Sequence, residues 1–200
     1  MYHLLKQVVE KINFNDISED RRTELKVLAD FVQRKKDKEE EVHLNFICTH
    51  NSRRSQFSQI WATVAADYYG VAIKSYSSGV EVTAMNPRAV QSLERFGFHI
   101  SSPGGENPHY TIEYSAIAGV ITAFSKLLED ATNPSENFAA IMTCSHADEN
   151  CPFVAGCEKR IPIRYEDPKA FDDSPLESSM YDYRSFQIAT ELFYVFSEIK

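Results

Sequence analysis

Apolar residues change their spacing at a few sharp points along this chain, and those changes mark out strands and helices. From Val42 to Ile47, the apolar Val42, Leu44 and Phe46 alternate with His43 and Asn45, the period-two pattern of a strand with one apolar face. After a polar stretch, Phe57, Ile60, Trp61, Val64, Ala65 and Tyr68 recur at three- and four-residue spacing. That predicts a helix from Ser55 to about Tyr69, with one buried face and Gly70 as its stop. Asn86 and Pro87 read as N-cap and first residue of another helix, which carries Ala89, Val90, Leu93 and Phe96 on one face and ends at Gly97. Ala139 to Thr143 reads as a buried strand. Phe186, Ala189, Leu192, Phe193 and Phe196 predict a long helix from Ser178 to Ile199.

Either side of this pattern lie two less regular regions. Ile17, Leu25, Leu28, Ala29 and Val32 sit at near-helical spacing, which predicts helices over about 3–12 and 18–36. Residues 1–40 are expected to be a helical extension of a domain spanning 41–200, packed on that domain or on a second subunit. Between Ser101 and Asn137, a Pro- and Gly-rich loop at 102–108 precedes two extended segments, one with Tyr110, Ile112 and Tyr114 and one from Gly119 to Phe124. A second loop at 130–135 leads into the Ala139 strand. Strand–helix alternation of this kind predicts an α/β fold, a mainly parallel central sheet with helices on both faces, with any ligand at the C-terminal ends of the strands.

Composition narrows the functional classes. At 200 residues, 43% hydrophobic and 25% charged, the chain suits a globular domain with a sizeable core. A net charge of −8 argues against a nucleic-acid partner. The one basic cluster, Arg34-Lys35-Lys36-Asp37-Lys38, runs directly into Glu39-Glu40-Glu41 and reads as a solvated helix end. No apolar run is long enough to cross a bilayer and no signal segment follows Met1, so a cytoplasmic location away from membranes is expected. Four cysteines in that setting point to reduced thiols, metal ligation or redox catalysis rather than a disulfide framework.

The candidate chemistry lies where the first strand hands over to the following helix, at Cys48-Thr49-His50-Asn51-Ser52-Arg53-Arg54-Ser55. A helix N-terminus and the tight loop before it present unpaired amides and partial positive charge to an anion. The same field, with Arg54 beside it, favours the thiolate of Cys48, the nucleophilic form. Arg54, six residues after Cys48, is placed to chelate two oxyanion oxygens through its planar fork. Ser55 is placed to donate a hydrogen bond to the sulfur. Residues Thr49 to Ser55 are therefore the expected oxyanion-binding loop.

Cys-x5-Arg-Ser in this position resembles the signature of the low-molecular-weight protein tyrosine phosphatase superfamily, and more narrowly its thioredoxin-coupled arsenate reductase branch. Tyr76 to Val80 and Asn86-Pro87-Arg88-Ala89 look like that family's second strand and second helix start, and Asn51 matches the residue that holds the strained loop. Cys144-Ser145-His146-Ala147-Asp148-Glu149-Asn150-Cys151-Pro152 is similar to the reductase redox segment, including the seven-residue step between cysteines. The resemblance implies that Cys144 attacks an arsenic adduct on Cys48, that Cys151 resolves the resulting disulfide, and that thioredoxin or a similar thiol reductant restores the enzyme. Tyr165-Glu166-Asp167-Pro168 looks like the family's acid loop, with Asp167 as the general acid, a role suited to a carboxylic acid in an anion pocket. No cofactor or metal is implied.

Departures from the family pattern set alternatives side by side. His50 stands where many members have Gly, and Arg53 where many have a second Cys, which leaves Cys144 or Cys151 to protect Cys48. Gln59 replaces a Glu that in some reductases helps hold potassium, so that cation site is not carried over. Lys169 and Ala170 follow Pro168 in place of the paired tyrosines of phosphotyrosine-specific members. The expected function is arsenate reduction through Cys48, Cys144 and Cys151; the alternative is phosphoester hydrolysis through a phosphocysteine, needing only Cys48, Arg54 and Asp167. A zinc site from Cys144, His146, Cys151 and Cys157 is the remaining reading, although its spacing lacks the usual Cys-x2-Cys pair.

Overall fold

The computed structural model describes residues 1–150 and 153–200, with Asn150 given by its backbone alone. In chain order the elements are α1 (His3–Val9), α2 (Glu19–Asp37), β1 (His43–Cys48), α3 (Arg54–Tyr68), β2 (Lys74–Gly79), α4 (Pro87–Arg95) and β3 (His99–Ser101). There follow β4 (Tyr110–Glu113), β5 (Ile121–Ala123), β6 (Phe138–Met142), α5 (Ser145–Asn150), β7 (Cys157–Pro162) and α6 (Glu177–Ser197). The central sheet has the order β2-β1-β6-β7 and all its pairings are parallel. Helices cover both of its faces, as the alternation predicts.

Strand β1 is an inner strand, and that changes one expectation. Asn45, expected on a polar face, is fully buried, because a parallel sheet between two helical layers buries both faces of its inner strands. Its side chain is accommodated by Ser78 of β2, whose hydroxyl donates to Asn45 Oδ1 at 3.0 Å. Helix α3 departs in the same direction. Almost every residue from Ser55 to Ala66 is buried, where one apolar face was expected, because α3 is clasped between the sheet and α6. Trp61 anchors that contact, donating its indole N–H to Ser185 Oγ at 2.9 Å. Tyr68, expected on the buried face, is exposed.

The two N-terminal helices pack on the chain's own core. Leu5, Leu25, Leu28, Phe31 and Val32 are buried in the same cluster as Leu44, Trp61 and Phe196. Ser18 caps α2 by accepting from Arg21 N–H at 3.3 Å, and Arg21 reaches the buried Glu191 of α6 at 2.7 Å. The extended segments expected between 101 and 137 form β4 and β5. They pair antiparallel with each other, and β4 pairs antiparallel with β3, a three-residue strand too short to show a period, as a sheet separate from the central one. Strand β7, which the apolar pattern did not mark, extends the central sheet; its alternation is broken by Glu158, Lys159 and Arg160. No described helix is long and apolar enough to cross a membrane.

Candidate active site

The loop after β1 is held by its carbonyls. Thr49 O accepts from Val80 N and Glu81 N, both at 2.9 Å, and Ser52 O accepts from Asn86 N at 2.9 Å. His50 O accepts from Ser125 Oγ and Asn51 O from Gln56 Nε2, each at 2.9 Å. Arg53 O takes the amide of Phe57 inside the first turn of α3. The amides from Thr49 to Arg54, by contrast, find no acceptor among the described residues. A loop whose carbonyls are engaged outward and whose amides are left over is a nest for an anion at a helix N-terminus.

Two residues make this backbone possible. Asn51 has a φ of 47°, in the left-handed region that Asn tolerates better than most residues. Its side chain is locked at both ends, with Oδ1 accepting from Lys126 N at 3.0 Å and Nδ2 donating to Ser55 Oγ at 2.8 Å. Gly79, paired with Cys48 across β1 and β2, lies against the loop so closely that a Cβ there would come within 2.8 Å of Thr49 O, Asn51 N and Glu81 O.

Cys48 is 4% exposed, and its Sγ lies 3.1 Å from Ser55 Oγ. Because Asn51 Nδ2 occupies an acceptor site of that hydroxyl, the Ser55 proton is available to the sulfur, the hydrogen bond the spacing predicts. Arg54 is brought to the loop's mouth and joined there to Asp167: Nη2 donates to Asp167 Oδ2 at 2.7 Å and Nη1 to Tyr165 O at 3.0 Å. Its Nε is buried and has no partner among the described residues. Asp167 also caps a short 3-10 turn (Pro168–Phe171), its Oδ1 accepting from Lys169 N at 3.1 Å.

The remaining loop side chains face elsewhere. Arg53 Nε donates to Tyr181 OH at 2.7 Å, and that hydroxyl donates to Asp172 Oδ1 at 2.8 Å. Burial, reinforced by Asp172, pushes the Tyr181 phenol up to about 12, so it stays a donor. Ser52 Oγ donates to Ala84 O at 2.7 Å, and His50 Nε2 lies 3.2 Å from Glu81 Oε2 on the exposed rim. For His50, Ser52 and Arg53 it is the backbone that lines the loop. Gln59 accepts from Ser77 Oγ at 2.6 Å and donates to Thr122 O at 3.2 Å, which engages both ends of its amide.

Cys144 is brought to the same place from β6. Fully buried, it shares an apolar cluster with Cys48, Ile47 and Met142. Its Sγ lies 3.5 Å from Thr49 Oγ1, which lies 3.2 Å from His146 Nδ1. Ala147 N–H, in the first turn of α5, donates to the same sulfur at 3.4 Å. Cys151, the expected resolving thiol, lies outside the described residues. Among the described residues no three His, Cys, Asp or Glu side chains converge as a metal site requires. Neither the Thr49 contact to Cys144 nor the Arg53–Tyr181–Asp172 chain is signalled by sequence spacing, since each joins elements far apart in the chain.

A buried thiol in an amide-rich loop, with a guanidinium and a carboxylate at its mouth, defines a class of thiol-dependent oxyanion enzymes, and comparison with known proteins narrows it. An arsenate reductase of Staphylococcus aureus (strain Newman) is 31% identical over 124 residues, 62% of this chain and 76% of the relative. A crystal structure of a YwlE mutant from Bacillus subtilis matches with a TM-score of 0.55 at 14% identity, covering 78% of this chain and 97% of that one. An arsenate reductase in the phosphate binding state matches with a TM-score of 0.51 at 18% identity, covering 80% and 100%. No family model matches the sequence. The chain belongs to the low-molecular-weight protein tyrosine phosphatase superfamily, in its arsenate reductase branch, and it is an enzyme of that family.

Proposed function

We propose that this enzyme reduces arsenate through a relay of three thiols, Cys48, Cys144 and Cys151. The observation that carries the reading is the second thiol, Cys144, wholly buried and hydrogen-bonded to Thr49, the neighbour of Cys48. Hydrolysis of a phosphoester has no use for it. A step that consumes a second thiol does.

In this reading, the amides of Thr49 to Arg54 hold the oxyanion, and Arg54 turns its fork from Asp167 onto two of its oxygens. Asp167, released from Arg54, supplies the proton to the departing oxygen as the Cys48 sulfur bonds to arsenic. Ser55 stabilises the thiolate beforehand. Cys144 then attacks the Cys48 sulfur: a disulfide forms, the sulfur–arsenic bond breaks, its electron pair goes to arsenic, and arsenite leaves in the trivalent state. Cys151 next attacks Cys144, freeing Cys48 and leaving a Cys144–Cys151 disulfide, which a dithiol reductant of the thioredoxin kind reduces. Such a reductant fits a reducing, cytoplasmic setting. The catalytic unit in this reading spans 41–200, with residues 1–40 as an extension.

A phosphatase reading has its own support, since Cys48, Arg54 and Asp167 make a complete hydrolytic set without Cys144. Two assays separate the readings: thioredoxin-dependent arsenate reduction and hydrolysis of an aryl phosphate, on wild type, Cys144→Ser and Cys151→Ser. The reductase predicts loss of reduction with hydrolysis retained in both variants. A wild type that hydrolyses the ester but releases no arsenite would reverse the assignment.

A further inference from the structure

A thiol with no exposed surface cannot hand its proton straight to water, yet Cys144 must lose one to become a nucleophile. Hydrogen bonds around it mark a route out. Thr49 Oγ1 stands 3.5 Å from Cys144 Sγ and 3.2 Å from His146 Nδ1, and His146 is exposed. One hydroxyl thus joins a buried sulfur to an imidazole at the surface. We propose that His146 is the proton acceptor for Cys144, acting through the Thr49 hydroxyl; this rests on the reductase reading of the same site.

The geometry accounts for both ends of the transfer. Before it, the thiol donates to Thr49 Oγ1 and the hydroxyl donates to His146 Nδ1, with the imidazole protonated at Nε2. After it, the protonated Nδ1 donates to the hydroxyl and the hydroxyl donates to the thiolate. No heavy atom has to move, because the same atoms are bonded in both states. Ala147 N–H, already 3.4 Å from the sulfur, holds the anion that results. Electrons and atoms balance: the sulfur's pair forms the bond to Cys48, the sulfur–arsenic pair reduces arsenic, and the thiol proton sits on His146, from which bulk water takes it.

Because His146 acts through Thr49, it is a positioning and proton-accepting residue, and its test needs a readout that packing alone would not move. Single-turnover arsenite release and disulfide formation are measured on the reduced full-length protein, each normalised to aryl phosphate hydrolysis by the same preparation. His146→Ala is expected to slow normalised arsenite release by about tenfold or more. Added imidazole should restore the rate in a concentration-dependent way, since the vacated site is open to solvent. Thr49→Val should lose the step as well, without rescue by imidazole, whereas Thr49→Ser should keep it. A His146→Ala variant that releases arsenite at the wild-type normalised rate overturns the proposal, as does a slowed variant that imidazole leaves unchanged. Wild type with hydrolysis but no arsenite release would remove the reductase reading and this one with it.

Discussion

Asn51 makes the candidate oxyanion loop cooperative at the scale of single residues. One amide fixes a left-handed backbone, accepts from Lys126 N–H and orients the Ser55 hydroxyl toward the Cys48 sulfur. Replacing Ser55 with Ala removes its hydrogen bond to the Cys48 sulfur, worth about 1–3 kcal/mol, so under the proposed mechanism kcat should fall about tenfold or more while KM moves little; steady-state kinetics check it, and an unchanged kcat would contradict the assignment. Cys48→Ser should abolish both reduction and hydrolysis. Lys126 makes a prediction about pH. Burial lowers its ammonium, which stands over the Phe124 ring, to about 8 from 10.5, with Asp130 opposing the shift. A lysine whose folded value lies below its unfolded value costs stability below about pH 8, and that cost fades as pH rises from 8 toward 10.5. Lys126→Met should therefore stabilise the fold at pH 7 by about 1–3 kcal/mol, and the advantage should shrink by pH 9.5, as denaturant midpoints of the two proteins would read out.

At the scale of elements, the handover from β1 to α3 depends on β2 coming close, and Gly79 permits it. A Cβ there meets three backbone atoms at 2.8 Å, none of which can swing aside as a side-chain tip would. Gly79→Ala should push the loop out of shape, costing about 1–3 kcal/mol of stability and weakening oxyanion binding, measured as a raised inhibition constant for inorganic phosphate. This close approach also shows what a sequence can and cannot reveal. The strand ending at Cys48, the helix beginning near Ser55, the Asn86–Pro87 start and the long C-terminal helix were all legible, because each follows from local spacing or capping. The local pattern leaves Asn45 and one side of α3 exposed, yet both are buried, because burial on a second face comes from layers that pattern does not contain. The Cys48–Ser55 bond could be anticipated from seven residues of chain. The contacts of Thr49 with Cys144 and of Arg54 with Asp167 span 95 and 113 residues, and only a family resemblance could suggest such neighbours.

Over the whole molecule, the N-terminal helices are bound into the core that supports the site. Leu25, Leu28, Phe31 and Val32 are completely buried, and at about 1.5–3 kcal/mol each their loss matches most of a typical domain's net stability of about 5–15 kcal/mol. A chain beginning at residue 41 should therefore fail to give a cooperative thermal transition, even though it holds every candidate catalytic residue. Glu191→Ala should cost about 1–3 kcal/mol, since that pair joins α2 to α6, while Arg21 keeps Glu24 and Arg164 O as partners. Full burial of Cys144 carries a last consequence, for how the enzyme lives among small oxidants and electrophiles. A sulfur with no surface is sheltered from casual chemistry: in the resting state, alkylating agents and peroxide should modify it far more slowly than they would after unfolding, which timed labelling followed by mass spectrometry would reveal. On the proposed relay, such a thiol would be kept in store for a single reaction, until arsenic bound to Cys48 came within its reach.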